Sequence, residues 1–377
     1  MPNIFGNGLN NNLAGGAFSD NIFGFGGNDN LFGGGGNDLL AGSSGNDFLN
    51  GGIGADVMIG DIGNDTYVVD NFGDVVAEDF GEGLDLVISS ISFTLSAAGR
   101  FAIENLTLQG GAFAGFGNAL NNQIVGTNFA NNLNGLAGDD RLFGLGGNDF
   151  LFGGFGNDFL NGGIGADTMR GEQGNDVYVV DNFGDNVIEL AGVGTGIDRI
   201  DSFISTNLLV GGRVNVENLS LFGAALSGVG NALSNVIVGN ANNNFLSGLA
   251  GNDRIFGLDG NDTLVGGTGR DVLIGGAGDD VFDYNTAADS PANIFLRDHI
   301  TDFDDFGNDR IDLSGVSPGV LTYRGFLGFT GIGQVRVAAA GPDVIVEVNL
   351  AGGNAPEMQI QLENTSILSM TIGDFIL

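Results

Sequence analysis

The sequence predicts an all-β fold in which the chain winds into a solenoid of short parallel strands. Three observations lead to this prediction. Glycine accounts for 71 of the 377 residues, so the fold must use backbone with positive φ at many turns. Aspartate recurs every nine residues over long stretches. Each aspartate precedes a three-residue segment with an apolar residue at its centre, the alternation expected of a strand with one buried face.

Composition and charge exclude several other classes of protein. The glycines do not fall at every third residue, which excludes collagen, and a content of 42% hydrophobic residues provides material for a core. Acidic residues outnumber basic ones by 46 to 11, which gives a net charge of −35. Such an excess repels itself in a compact state unless cations neutralise it. Nucleic acid and membrane insertion are therefore not expected, whereas divalent cations are.

The nine-residue period organises three blocks. The aspartates in register are Asp20, Asp29, Asp38, Asp47, Asp56 and Asp65, then Asp140, Asp149, Asp158, Asp167 and Asp176, then Asp253, Asp262, Asp271 and Asp280. Degenerate copies with asparagine at this position precede each block, at Asn11, at Asn122 and Asn131, and at Asn235 and Asn244. The predicted domains are repeat blocks at 1–70, 117–181 and 230–283, intervening β segments at 71–116 and 182–229, and a C-terminal region at 284–377.

Each nonapeptide has a readable physical design. Glycines at its first, second and fourth places allow a tight turn with positive φ, and the sixth-place aspartate directs a carboxylate into that turn. The last three residues form a strand whose central side chain faces inward, as at Leu31, Leu40, Leu49, Met58 and Tyr67. Two nonapeptides complete one coil, so the aspartates form two files, with Asp20, Asp38 and Asp56 in one and Asp29, Asp47 and Asp65 in the other.

These files predict a calcium site between successive turns. Stacked coils lie roughly 4.8 Å apart, and calcium accepts six to eight carboxylate and carbonyl oxygens in loose geometry. The fifteen aspartates are the candidate ligands, and adjacent turns of one file suggest about a dozen Ca²⁺ ions. Glycine carbonyls complete the predicted ligand set, at Gly33, Gly35, Gly51, Gly153, Gly162 and Gly266.

The pattern Gly-Gly-x-Gly-x-Asp-x-apolar-x resembles the nonapeptide of the repeats-in-toxin (RTX) family. The resemblance implies a right-handed parallel β-roll, or β-helix solenoid, with calcium along each edge. The C-terminal stretch from Asp289 through Asp298 and His299 to Asp312 is similar to the domain that follows the β-roll in serralysin-type proteases. The ending at Asp374 and Phe375 resembles the uncleaved signal of type I (ABC-transporter) secretion. This resemblance implies a C-terminal β-rich capping and secretion-signal domain.

Secretion is consistent with the rest of the sequence. The first residues lack a basic segment followed by an apolar run, so no cleaved signal peptide is expected. Cysteine is absent, so no disulfide staples the fold. At low cytosolic calcium the carboxylates repel and the chain stays unfolded and exportable, whereas millimolar calcium outside drives folding. The expected location is therefore extracellular, or at the cell surface of a Gram-negative bacterium.

We expect no enzymatic activity. The chain has no His-Glu-x-x-His motif and no lysine, and its single histidine, His299, is expected to be structural. A pore-forming cytolysin of the RTX type is also not expected, because this class carries long apolar helices and acylated lysines.

The remaining function classes are structural and adhesive. Phenylalanines occupy outward strand positions, either covered by neighbouring segments or exposed for self-association: Phe23, Phe32, Phe48, Phe143, Phe150, Phe152, Phe159, Phe245 and Phe256. The chain also enters the solenoid almost at its N-terminus, where an open edge would favour stacking. The sequence thus predicts a homo-oligomer or polymer of an extracellular matrix, surface layer or filament. The alternatives are a monomeric adhesin or module for cell-surface glycan, and the secretion and folding part of a larger protein.

Overall fold

The structure is a computed structural model that describes residues 1–97, 102–190, 192, 196–303 and 308–377. Parts of the predicted segments 71–116, 182–229 and 284–377 lie outside these residues. The chain divides into two compact units, Met1–Gly196 and Ile197–Leu377. Nearly all regular structure in the described residues is β, with two short 3-10 helices at Arg213–Asn215 and Ile372–Asp374. The all-β parallel solenoid that the sequence predicts is confirmed.

The described residues of the first unit form 21 strands, β1 to β21. Even-numbered strands β2 to β20 pair in one parallel sheet, and odd-numbered strands pair in two further parallel sheets, β1 to β9 and β11 to β21. The chain therefore alternates between opposing sheets as it coils. The even-numbered strands are Asn12–Ala14, Asn30–Gly35, Phe48–Ile53, Thr66–Val69, Leu86–Ser89, Asn105–Leu108, Gln123–Val125, Arg141–Phe143, Phe159–Asn161 and Val177–Val180. The odd-numbered strands are Asn3–Asn7, Asn21–Gly26, Leu39–Ser44, Val57–Ile62, Val75–Ala77, Phe93–Thr94, Ala114–Phe116, Asn132–Ala137, Phe150–Phe155, Thr168–Gln173 and Asn186–Val187.

The register within the repeats is 18 residues per coil, so that Leu31 lies beside Leu49. The predicted central residues Leu31, Leu40, Leu49, Met58 and Tyr67 are fully buried, which confirms the inward face. The segment 71–116 supplies strands to the same sheets, since Val87 pairs with Tyr67 on one side and with Leu106 on the other. The core of this unit is therefore a column of aliphatic side chains enclosed between the two layers.

Two details of the nonapeptide differ from the prediction. The strand is not limited to the last three residues, because β5 continues through the first three places of the next nonapeptide, from Leu39 to Ser44. Positive φ occurs at the second and fourth places, as at Gly34 (φ 99°) and Gly36 (φ 109°), but not at the first-place Gly33. Glycine at the first place is required for space, because a Cβ on Gly33 would overlap the Asp38 carboxylate.

The second unit repeats this arrangement with β22 to β38. Strands β22, β24, β26, β28, β30 and β32 form one parallel sheet, and β23, β25, β27, β29, β31, β33 and β38 form the other. In chain order, β22 to β33 are Arg199–Ser202, Thr206–Asn207, Asn218–Leu221, Ser227–Val229, Val236–Val238, Phe245–Ala250, Arg254–Asp259, Thr263–Thr268, Val272–Ala277, Val281–Asp283, His299–Ile300 and Arg310–Asp312.

The C-terminal strands pair with the last strands of both sheets. Strands β34 to β38 are Thr322–Tyr323, Gln334–Ala340, Asp343–Asn349, Met358–Leu362 and Phe375–Ile376. Strand β37 pairs in parallel with β32 and antiparallel with β36, and β38 pairs with β33. The C-terminal β-rich region thus caps the end of this solenoid. The part of the chain that the structure describes contains no helix with the length and apolar character needed to cross a bilayer.

Candidate metal centres

The repeat aspartates stand in two files, as their spacing requires. In one file the backbone N–H of Asp20 donates to Asp38 Oδ1, and that of Asp38 to Asp56 Oδ1, both at 2.7 Å. In the other file the N–H of Asp29 donates to Asp47 Oδ1, also at 2.7 Å. In these pairs Oδ1 of the carboxylate therefore holds the preceding coil, and the side chains themselves are buried.

The second carboxylate oxygen has a different environment. At Asp20 this oxygen accepts a hydrogen bond from Gly16 N–H. In thirteen other repeats Oδ2 is buried and has no hydrogen-bond partner among the described residues: Asp29, Asp38, Asp47, Asp56, Asp65, Asp140, Asp149, Asp158, Asp167, Asp253, Asp262, Asp271 and Asp280. Each buried, unsatisfied acceptor costs about 1–3 kcal/mol, and more when charged. A regular row of buried, unpaired Oδ2 atoms therefore requires a positively charged partner.

Glycine carbonyls face these oxygens. The space beside Gly33 contains both Asp38 Oδ2 and the Gly51 carbonyl oxygen. The same pairing joins Asp149 with the Gly162 carbonyl and Asp253 with that of Gly266.

The other glycines of the predicted ligand set are placed as follows. The Gly33 carbonyl lies near Asp20. A Cβ on Gly153 would overlap Asp158 Oδ2, and a Cβ on Gly35 would lie nearest to the backbone of Ala17. The assignment of the fifteen aspartates and of all six glycines as calcium ligands stays a prediction.

The asparagine turns show what replaces a cation. Asn122 Nδ2 donates to the Glu104 carbonyl at 3.1 Å, and Asn131 Nδ2 donates to the Ala112 carbonyl at 3.0 Å. In the second unit Asn235 Nδ2 donates to the Glu217 carbonyl at 2.9 Å. In these turns an amide N–H₂ satisfies backbone oxygens without an ion. An aspartate has no proton to donate when it is ionised, so the aspartate turns need an external cation.

The electrostatics of the files point to the same requirement. Burial, together with the neighbouring carboxylates, raises the pKa of Asp140 to about 8 and that of Asp253 to about 7, although hydrogen bonds from Asn122 and Asn235 lower both. Desolvation disfavours the charged form of each group. A cation bound between the turns would restore ionisation.

The site therefore fits a hard divalent cation. Its donors are carboxylate and carbonyl oxygens only, and cysteine is absent from the chain, which favours calcium over softer metals. Each ion would be held by Asp Oδ2 atoms and glycine carbonyls of adjacent turns. Neutralisation and cross-linking of coils is the chemistry that calcium would supply here.

Three acidic residues outside the repeats extend this system and were missed in the sequence. Asp85 Oδ1 accepts the N–H of Asp65 at 2.8 Å, and Glu104 Oε2 accepts the N–H of Asp85 at 2.9 Å. Glu78 is buried beside Asp65 and Asp85. A signal was available, because glutamates recur at Glu189, 111 residues after Glu78, the distance that separates the duplicated blocks.

A parallel β-solenoid with buried carboxylate files and glycine carbonyls defines a calcium-binding repeat protein. The RTX calcium-binding nonapeptide repeat family (four copies) matches residues 5–40, 33–67, 116–151, 143–178, 229–264 and 256–290, which lie in the three blocks and extend a few residues beyond their limits. The chain belongs to this family, and its repeats bind Ca²⁺. The β-roll resemblance noted in the sequence is thereby confirmed.

Solved structures are similar to parts of the chain. The AlgE6R3 subunit of the Azotobacter vinelandii mannuronan C5-epimerase is 30% identical, with a TM-score of 0.32, covering 39% of this chain and 80% of that one. The AlgE6R2 subunit of the same epimerase is 25% identical, with a TM-score of 0.31, covering 40% and 91%. The extracellular lipase LipA from Serratia marcescens is 17% identical, with a TM-score of 0.27, covering 78% and 45%. No curated protein matches the chain.

Proposed function

We propose that this chain is a secreted structural protein that folds on extracellular calcium and then self-associates in a matrix, surface layer or filament. The observation that carries the proposal is the row of buried, unpartnered carboxylate oxygens in an otherwise regular solenoid. Their desolvation would oppose folding where calcium is scarce, and calcium binding would become folding energy outside the cell. About a dozen ions would occupy the two files.

The C-terminus supports export before folding through a type I secretion system. Phe375 is 7% exposed within β38. Asp374 ends the 3-10 helix Ile372–Asp374, and its carboxylate accepts the N–H of the N-cap residue Thr371. A secretion machinery that reads these residues as a linear signal would need them before they dock. A chain kept unfolded by low calcium would present them.

The phenylalanine positions support self-association. None of the nine outward phenylalanines is buried: Phe32, Phe150 and Phe245 are exposed, and the other six are half-buried. In the even-numbered sheet of the first unit, Phe32 packs on Phe48 and Phe143 on Phe159, each with ring centroids 5.7 Å apart. The described segments therefore leave aromatic surface available to a second copy.

The proposal gives the chain no catalytic role. His299 lies between two partners, with Nδ1 at 2.7 Å from Glu363 Oε1 and Nε2 at 2.9 Å from Arg270 Nη2. Both ring nitrogens are engaged in joining the C-terminal region to the last repeats. We assign this histidine a structural role.

Sedimentation velocity of the full chain in 5 mM calcium tests self-association. We expect oligomers that grow with protein concentration, and a shift towards monomer in the variant Phe32→Ser/Phe143→Ser. The matched control Phe72→Ser/Phe183→Ser removes two rings that are 83% and 82% exposed outside the strands and should leave assembly unchanged. A monomer at every concentration would contradict assembly and favour a monomeric adhesin or glycan-binding module, which a glycan array would then test.

A further inference from the structure

We propose that Asp65, Glu78 and Asp85 form a separate three-carboxylate calcium site, which closes the end of the first repeat block and binds more tightly than the nonapeptide turns. The site lies within the first unit, and it rests on the calcium dependence of this chain but not on its self-association. Asp65 belongs to the nine-residue pattern, whereas Glu78 and Asp85 do not.

The geometry fits one ion. A carboxylate oxygen from each of the three residues lies within 4.8 Å of the other two. Calcium binds oxygen at about 2.3–2.6 Å, so two of its ligands can be separated by at most about 5 Å. All three side chains are buried, with 1% exposure at Asp65, 8% at Glu78 and 1% at Asp85.

The lack of hydrogen-bond partners for these oxygens among the described residues is a second observation, besides the short distances between them. Both oxygens of Glu78, Oδ2 of Asp65 and of Asp85, and the hydroxyl of the fully buried Tyr67 have no hydrogen-bond partner among the described residues. A Cβ on Gly60 would overlap Asp65 Oδ2, Tyr67 Oη and Glu78 Oε1. These oxygens therefore converge on the small space that the glycine leaves open.

The site is a modified version of the ordinary turn. In several repeats the residue 13 positions after the aspartate is a glycine whose carbonyl oxygen lies beside the carboxylate, as that of Gly51 does beside Asp38. Glu78 holds this position relative to Asp65, because β9 continues the register in which Ala77 lies beside Ile59. A carboxylate side chain thus stands where the other turns offer a carbonyl oxygen, and the local negative charge increases.

The arrangement recurs in part in the duplicated segment. Asp176, Tyr178 and Glu189 follow the same spacing, and there Tyr178 donates a hydrogen bond to Glu189 while Gly171 N–H donates to Tyr178 Oη at 2.8 Å. The recurrence of Asp, Tyr and Glu at the same spacing after two blocks supports a common binding site. Because calcium affinity rises with the number of charged ligands in a rigid site, we expect this site to fill first in a titration.

The buried carboxylate of Glu78 can be neutralised either by a metal ion or by a proton. Burial and the carboxylates of Asp85, Asp65 and Glu82 raise the pKa of Glu78 to about 9. If Glu78 is protonated and binds no ion, replacement by glutamine should cost little stability. If Glu78 is a metal ligand, the same replacement should weaken ion binding. The substitution Glu78→Gln therefore separates the two cases.

Isothermal titration of the calcium-depleted full chain with calcium is the test. We expect a class of sites with a dissociation constant at least about tenfold below that of the remaining sites, and one ion fewer in that class for Glu78→Gln. The control Asp79→Asn removes the same charge from the adjacent, exposed residue and should leave the class unchanged. Equal ion counts in Glu78→Gln and the original chain would overturn the site without affecting the repeat turns.

Terbium luminescence gives a second readout that survives if Glu78→Gln does not fold. The chain contains no Trp and four Tyr, and Tyr67 Oη adjoins the site, so terbium bound there is sensitised through Tyr67. The variant Tyr67→Phe keeps every carboxylate and should lower the tyrosine-excited emission of the first terbium equivalents, with calcium competing. Unchanged emission in Tyr67→Phe would contradict the placement of the ion.

Discussion

The pair Asp139 and Asp140 offers a matched test of the repeat sites. Asp140 is buried, and its Oδ1 accepts the N–H of Asn122 at 2.6 Å while Oδ2 has no partner among the described residues. Asp139 is exposed and accepts the N–H of Asn157. Asp140→Asn and Asp139→Asn thus remove the same charge, and both amides keep the oxygen that accepts the existing hydrogen bond. Only the first removes a candidate calcium ligand.

The expected magnitude follows from the loss of one ion. With a dissociation constant of about 10⁻⁴ to 10⁻³ M, calcium at 10 mM stabilises each site by about 1.4–2.7 kcal/mol. Asp140→Asn should lower the free energy of unfolding by that amount at 10 mM. Its dependence on calcium should weaken by about 1.4 kcal/mol per tenfold change in concentration. At low calcium the difference in unfolding free energy between Asp140→Asn and the original chain should shrink. Burial disfavours the charged form of Asp140 and raises its pKa to about 8, whereas the asparagine carries no charge that burial could disfavour.

Urea unfolding followed by circular dichroism measures how the unfolding free energy depends on calcium. The calcium concentration should range from about 0.3 to about 30 mM, which spans the affinities of extracellular sites. Asp139→Asn should stay within about 0.5 kcal/mol of the original chain, as surface substitutions usually do. The same calcium dependence in Asp140→Asn and the original chain would contradict Asp140 as a calcium ligand. An equal weakening of that dependence in Asp139→Asn would contradict it as well.

Two further predictions concern pH and the turn backbone. Burial raises the pKa of Asp56 to about 6, of Asp158 to about 7 and of Asp140 to about 8, so the calcium-free fold is most stable below about pH 4, near the unfolded pKa, and loses stability as pH rises towards 8. Circular dichroism in calcium-depleted buffer should show more β structure at pH 5 than at pH 8, and the opposite trend would contradict this. Gly34→Ala should destabilise the calcium-loaded protein by at least about 2 kcal/mol, because φ is 99° and the Cβ would overlap the Gly16 carbonyl. Gly8→Ala, which meets no atom within 4 Å, should be neutral in the same urea assay, and equal effects would show that the turn geometry is wrong.

The repeat frame could be predicted from the sequence because one local rule is applied many times. The nine-residue period sets the inward residue, and the structure buries Leu31, Leu40 and Leu49 completely. The same period places Asp20 and Asp38 in one file, one coil apart. Small errors in one repeat do not accumulate, because 18-residue pairing across coils fixes the register.

Features without a period could not be predicted in this way. Glu78 follows Asp65 by 13 residues, and its role depends on the register of β9 against β7. This register brings its carboxylate beside Asp65, into space that a carbonyl oxygen occupies in other turns. The asparagine turns resembled weakened copies, yet the amide of Asn131 satisfies a carbonyl directly. The requirement for glycine at Gly33 is set by the Asp38 carboxylate packed against it, which a φ argument from sequence does not reveal.

We infer that cations between the coils hold this fold together at neutral pH. Thirteen repeat carboxylates have a buried oxygen without a partner in the described chain. At about 1–3 kcal/mol each, their combined cost without calcium is as large as the usual net stability of about 5–15 kcal/mol, or larger. Far-UV circular dichroism at pH 7.5, recorded in 10 mM calcium and again after exhaustive dialysis against EGTA, tests this directly. We predict loss of the β spectrum in EGTA and its return when calcium is restored. An unchanged β spectrum in EGTA would contradict the account.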